Sequence, residues 1–556
     1  MIIYEKEKYI DLMERCLTAY DEERIARYVD QVKRNGLTEH GFARLASNMG
    51  ILVANGRKTE LTNRFIEIMD ICCENMPTVK AANDFTVKEV IFCILALEEK
   101  GLFPEKTAHW RQCLSNVTPN KTYNVIAKAP TDKVYNWACF SMVSELMRQY
   151  IGLTEASEFI DIQIASQLQW LDENGMYRDP CEPMVYDLVP RGLLSVTLFF
   201  GYNGKYRDEI SEKLRKSGEL TLKMQSVTGE IPYGGRSNQF PHNEAHLAII
   251  CEYEARRYYE SGDKETAAQF KLAAKKALDS IELWLTREPI RHIKNRYPTE
   301  TGYGCESYAY FDKYMITTAS FLYAAYLICN EEIPCAQYER ETAYTAVTSE
   351  HFHKLFLRSG EYFAEIDTKA DPHYDCSGIG RIHKKGAPSA ICLSCPGTAT
   401  PSYSLNGVTA TDFAICPGIE AENGLRFATQ AECGYKITER GTDNGAAYCR
   451  FECTVAGKLL KTELRLSKAG AVITVQGKGR VALMLPALSF DGETGTDTVC
   501  GKRRLTVDYL GYTCRYTTNG ELSDTGIDGG NRNGVYSIFT AVSEDTLTVN
   551  AEIFKS

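Results

Sequence analysis

The sequence predicts two successive architectures, an all-α part running to about Glu331 and a β-rich part from Glu332 to Ser556. Three observations predict them. From Lys8 to Asn330, apolar residues recur at a spacing of three to four with little strand-like alternation. After Glu332-Ile333-Pro334 the pattern changes to short runs of alternating β-branched and aromatic residues. The length of 556 residues exceeds what one hydrophobic core usually organises, so the change of pattern divides the chain into domains 1–331 and 332–556.

In the first part, amphipathic patterns predict helices over Glu60–Asn75, Asp187–Phe200, His242–Glu260 and several similar stretches. Between them stand Asn35-Gly36, Asn55-Gly56, Lys100-Gly101, Asn174-Gly175, Asn203-Gly204 and Ser261-Gly262, residue pairs suited to helix C-caps and tight bends. The expectation is a string of helical hairpins. No fixed repeat length marks a solenoid, although hairpins of uneven length can close into a ring. In the second part, alternating runs such as Tyr362–Ile366, Tyr448–Val455 and Leu459–Leu466 predict many short strands with close turns. The economical arrangement of these is an antiparallel β-sandwich.

The formal charge of -10 argues against nucleic acid as a partner, because a phosphate-binding surface needs a basic excess. The N-terminus, Met1-Ile2-Ile3-Tyr4-Glu5-Lys6-Glu7, turns charged before an apolar signal core can form, and no apolar run is long enough to span a bilayer. The 20 cysteines are scattered, include the neighbours Cys72-Cys73, and suit a reducing compartment, so a cytoplasmic protein without membrane partners is expected. The one C-x-x-C, Cys392 to Cys395, lacks a second pair at zinc spacing.

Three polar clusters carry candidate chemistry. The first, Tyr233 to Glu244, precedes an apolar helix, and there Arg236, Asn238 and His242 can converge on a carboxylate, with Asn238 or Asn243 as a plain helix cap the alternative. His242 and His246 lie four apart, but no third ligand accompanies them, so no metal is expected. The second, Tyr297 to Tyr314, crowds tyrosines before a helix; Tyr303, Tyr308 and Tyr310 can stack on sugar rings or exchange protons there. The third, His373 to Lys385, is rich in bases, and His373, Arg381 and His383 are expected to reach over the helical part. Asp84, Asp187, Glu244 and Glu306 fall near helix starts and offer carboxylates for hydrolysis, although capping and the helix dipole favour acids there anyway.

The order of helices, site loop, tyrosine loop and β-sandwich resembles the heparinase II/III and alginate lyase class of polysaccharide lyases. That resemblance implies an (α/α) toroid whose groove is covered by an antiparallel β-sandwich. It further implies an Asn and a His that neutralise or deprotonate a uronate, a downstream Tyr acting as acid or base, and an assisting sandwich residue. The matching positions are Asn238 and His242, then Tyr303 or Tyr308, then His373 or His383. Apart from that match, Glu244 is the carboxylate of the competing hydrolytic scheme, and Arg236, Asn243, Glu306, Tyr310 and Arg381 are expected on the substrate. The family sets its Asn directly before the His, whereas here Gln239-Phe240-Pro241 intervenes and Asn243 follows. The implied activity is β-elimination on acidic, uronic-acid-containing oligosaccharides, with no cofactor. A glycoside hydrolase on a similar (α/α) barrel and a non-catalytic glycan-binding protein are the alternatives.

Overall fold

The structure, a computed structural model, describes residues 6–37, 40–76, 83–128 and 135–556. The residues Met1 to Glu5 of the N-terminal reading lie outside these. Among the described residues, no helix is long and apolar enough to cross a membrane.

The helical part is a two-layered ring. Its inner helices are His40–Ala54, Asn83–Glu99, Trp137–Tyr150, Met184–Phe199, Pro241–Glu260 and Phe311–Ile328. Each packs on the next, and Phe311–Ile328 packs back on His40–Ala54, which closes the ring. Burial separates the layers. In His40–Ala54 every residue from Gly41 onward is buried, as a helix surrounded by others requires. In the outer helix Arg207–Met224 only Ile210, Leu214, Ser217, Gly218, Thr221 and Met224 are buried, a single stripe at three-to-four spacing. Inner and outer helices alternate along the chain as antiparallel hairpins, so the N-termini of all six inner helices gather at one end of the ring.

The last helix ends at Ile328 and the first strand begins at Ala343. Strands Ala343–Val347, Lys354–Ser359, Tyr362–Asp367 and Gly378–Lys384 form an antiparallel sheet in chain order. A larger antiparallel sheet is built around the paired strands Gly470–Phe490 and Val535–Lys555. The side-chain period of two gives the small sheet two apolar faces. Leu355, Leu357, Ala364 and Ile366 meet the large sheet, and Phe356 and Phe363 meet Met176, Met184, Met224 and Val227 of the helical ring. The small sheet is therefore the layer between ring and large sheet, and strands Lys354–Ser359 and Tyr362–Asp367 are buried along their whole length.

Its ring-facing side also carries buried charge. Lys354 Nζ lies 2.9 Å from Asp367 and 3.3 Å from Glu365, and Arg381 lies 3.3 Å from Glu365. Beside them, Lys294 of the ring lies 2.7 Å from Glu244 and 3.6 Å from Glu230. His353 is held between Asp367 and the ring residue Glu182. Burial disfavours its charge, but Asp367 and Glu182 outweigh that and raise its pKa to about 9. The stability it contributes is fully present below the unfolded value of about 6.5 and is lost as pH rises through about 9. The melting-temperature gap between wild type and His353→Gln is thus expected to be widest near pH 6 and to narrow steadily above about pH 7. A gap constant from neutral to alkaline pH would contradict the charged pairing.

Candidate active site

A cavity of about 330 Å³ opens where the six inner helices begin. Every inner helix or its entry loop contributes: His40 and Arg44, then Phe85, then Asn136, Trp137 and Phe140, then Tyr186 and Val189, then Arg236, His242 and His246, then Tyr308, Lys313, Tyr314, Thr317 and Phe321. An adjoining hollow of about 230 Å³ shares Asn136, Trp137 and Arg236 and adds Tyr135 and Asp179. Among the described residues no carboxylate lines the first cavity, while three cationic side chains, three histidines and three tyrosines do.

The loop 233–240 that brings Arg236 and His242 here is bent by positive φ at Gly234, Gly235, Ser237 and Gln239. It then enters the helix Pro241–Glu260, where Pro241 occupies the first helical position and Asn243 Oδ1 accepts the N–H of Phe240. Asn243 Nδ2 donates to the Ser237 carbonyl at 3.1 Å and lies 3.3 Å from His242 Nε2, leaving His242 Nδ1 without a protein partner. Burial, with the Arg44 guanidinium nearby, holds the His242 pKa well below the ordinary imidazole range, so the ring is neutral at physiological pH. Burial and Arg44 do the same to His40.

Tyr308 stands at the lip of the cavity with 36% of its surface exposed. Its hydroxyl lies 3.0 Å from Ser237 Oγ, which also reaches Tyr314 and Tyr186. Burial and the nearby Glu306 raise the Tyr308 pKa, so the phenol keeps its proton. Arg236 packs over the Tyr186 ring, centroid distance 4.4 Å, and pairs with Asp179. Arg44 donates to Thr317 Oγ1 at 2.6 Å and lies 3.6 Å from Glu89.

The structure brings together Arg236, His242 and Tyr308, with Asn243 behind His242. The other expected residues lie elsewhere. Asn238 is spent inside its loop, donating to the Pro232 carbonyl and accepting from Gln239. Glu244 is buried beneath the loop, accepting Ile231 N–H and pairing with Lys294. Tyr303 is buried against Tyr297 and donates to the Gly534 carbonyl at 2.9 Å. Glu306 is bound by Arg532 of the sandwich at 2.6 Å.

Glu306 and Tyr310 line a separate open groove of about 910 Å³ beside the helix Glu22–Asn35, where Arg24 is already paired with Asp312. The third cluster meets the ring, but as a strand and away from the cavity: Arg381 and His383 sit in the strand Gly378–Lys384, buried, with Arg381 donating to the Ile231 carbonyl and His383 2.7 Å from Ser226 Oγ. His373 is exposed and pairs with Asp371. Asp187 is bound by Arg191, and Asp84 accepts Val125 N–H.

His40, Arg44, Trp137 and Tyr186 stand outside the three polar clusters, and Lys313 and Tyr314 close the second without an assigned role. All six lie in the first two turns of inner helices, the signal that ring closure would have made informative.

No family model matches the chain, and no curated protein matches it. Among solved structures it is similar to heparinase III at 10% identity, covering 89% of this chain and 73% of that one, with a TM-score of 0.46. It is similar to a Paenibacillus xanthan lyase at 9% identity, covering 92% and 53%, TM-score 0.49. A chondroitinase AC lyase matches at 9% identity, covering 98% and 83%, TM-score 0.41.

Proposed function

We propose that the chain cleaves uronic-acid-containing oligosaccharides by β-elimination in the cavity at the inner-helix N-termini. The observation that carries this reading is the lining itself. Cations, neutral histidines and tyrosine hydroxyls meet there, and no described carboxylate does.

Elimination removes a proton from the carbon beside a carboxylate, and the enolate charge that develops needs fixed donors and cations around it. Arg44, Arg236 and Lys313 supply positive charge, two helix-entry loops direct side chains inward, and a neutral His242 can take the proton. Tyr308, held protonated, can give one to the departing oxygen. At neutral pH His242 is thus in the form that accepts a proton and Tyr308 in the form that gives one.

Glycoside hydrolysis needs two carboxyl groups about 5 to 10 Å apart across the bond that breaks. Asp187, Glu244 and Glu306 are each tied to a buried cation, and neither they nor Asp84 line the cavity. The third reading, glycan binding without chemistry, needs only the same lining. The unpaired cysteines support a reducing compartment, and with it a supply of short imported oligosaccharides rather than long polymers.

Purified protein incubated with uronate oligosaccharides is expected to generate ultraviolet-absorbing, unsaturated ends in step with new reducing ends. Reducing ends without absorbance would replace elimination by hydrolysis. Silence on a panel of acidic and neutral glycans, with binding retained, would favour the non-catalytic reading.

A further inference from the structure

Four hydroxyls meet at the lip of the cavity. Ser237 Oγ lies 3.0 Å from the Tyr308 hydroxyl, 3.2 Å from that of Tyr314 and 3.3 Å from that of Tyr186. Ser237 is fully buried, and its φ of 57° lies in the left-handed region that a residue with a Cβ seldom adopts. The surroundings enforce that conformation. The Ser237 N–H donates to Glu306 Oε1 at 2.8 Å, Arg532 of the sandwich fixes Glu306, and Asn243 donates to the Ser237 carbonyl. Backbone strain and two contacts from the helical part, one of them held by Arg532 of the sandwich through Glu306, thus aim one hydroxyl at three phenols.

A serine hydroxyl has one proton and two lone pairs. Serving three phenols at once, it donates to one and accepts from two. Tyr308 is the phenol at the mouth, whereas Tyr314 is 6% exposed.

We propose that Ser237 is a positioning residue for proton delivery: it donates to the Tyr308 oxygen as Tyr308 hands its own proton to the leaving group, while Tyr314 and Tyr186 donate into Ser237. This inference rests on the elimination reading. In that step the C–H bond beside the carboxylate breaks and its proton goes to His242. The electron pair left behind forms the new C=C bond. The C–O bond on the neighbouring carbon breaks, and the departing oxygen keeps its pair and takes the Tyr308 proton. Tyr308 remains as a phenolate, which accepts the Ser237 hydrogen bond until the proton on His242 returns through water. No oxidant or co-reactant is needed.

Ser237→Gly tests the role, since glycine adopts this φ without strain and the variant keeps its backbone. On a uronate oligosaccharide, whose sugar alkoxide leaves poorly, kcat is expected to fall about tenfold or more with KM within about twofold. On a uronate carrying an aryl ether at the same carbon, a leaving group that needs no proton, kcat is expected to stay within about twofold. Equal losses on both substrates would overturn the role in proton delivery. A wild-type protein that eliminates neither substrate would overturn the elimination reading and the delivery role with it. The hydroxyl hub is then judged separately by a double-mutant cycle of Ser237→Gly with Tyr308→Phe in chemical unfolding, where non-additive losses are expected and additive ones would remove it.

Discussion

Tyr308→Phe is expected to lower kcat for β-elimination by about 10²- to 10⁴-fold, the range that a positioned proton donor supplies. The change deletes one oxygen and keeps the ring, so packing against Tyr314 and the cation of Lys313 persists. KM should move little, because the proton is transferred in the transition state and is not part of ground-state binding. His242→Gln should show a comparable loss of kcat, because it removes the neutral imidazole. Steady-state kinetics on one oligosaccharide decide the matter. A Tyr308→Phe enzyme with wild-type kcat would remove Tyr308 from the chemistry and leave the role to Tyr314 or Tyr186.

The second large effect is on stability. Arg532 and Glu306 form an ion pair across the seam between sandwich and ring, with side chains 2% and 4% exposed. Arg532 also donates to the Gly304 carbonyl and packs over Tyr403 at 4.2 Å. Arg532→Met leaves the Glu306 carboxylate buried without its cation, a change that costs about 3 to 5 kcal/mol. Adding Glu306→Gln should recover part of that loss by removing the stranded charge. Glu306 also accepts the Ser237 N–H, so loosening it carries the injury into the site: the single variant should lose activity as well as unfolding free energy. Chemical denaturation of the single and double variants measures this. A loss below about 1 kcal/mol in the single variant would mean that water reaches the pair and that the seam is not dry.

Much of the architecture is legible because periodicity is local. The change from three-to-four spacing to alternation after Asn330 needs only neighbouring residues, and the structure has its last helix ending at Ile328 and its first strand at Ala343. Ring closure is not local. It depends on Phe311–Ile328 meeting His40–Ala54, which is buried from Gly41 onward, polar Arg44, Ser47 and Asn48 included. Its glycines read as weak points for a helix, yet they permit close approach: a Cβ on Gly41 would stand 2.9 Å from the Asp312 carbonyl oxygen.

The site is legible in the same uneven way. His242 and Tyr308 stand in polar clusters at helix entrances, and sequence alone marks those. Asn238, Glu244 and Tyr303 stand in the same clusters but turn away from the cavity, because a bent loop must satisfy its own buried backbone groups. Arg381 and His383 read as a basic segment reaching over the ring, and their burial in a strand is not legible because their partners, Glu365, Ile231 and Ser226, come from other strands and from the ring. Arg44 and Tyr186 join the cavity only through the ring, far in sequence from His242.

The central claim is that bond cleavage proceeds by elimination, and the mass of the product formed in heavy-oxygen water tests it most directly. Elimination predicts that the fragment carrying the unsaturated non-reducing end is lighter by one water than its hydrolytic counterpart, with no heavy oxygen incorporated by the cleavage step. Fragments that carry one heavy oxygen and no unsaturation would contradict it.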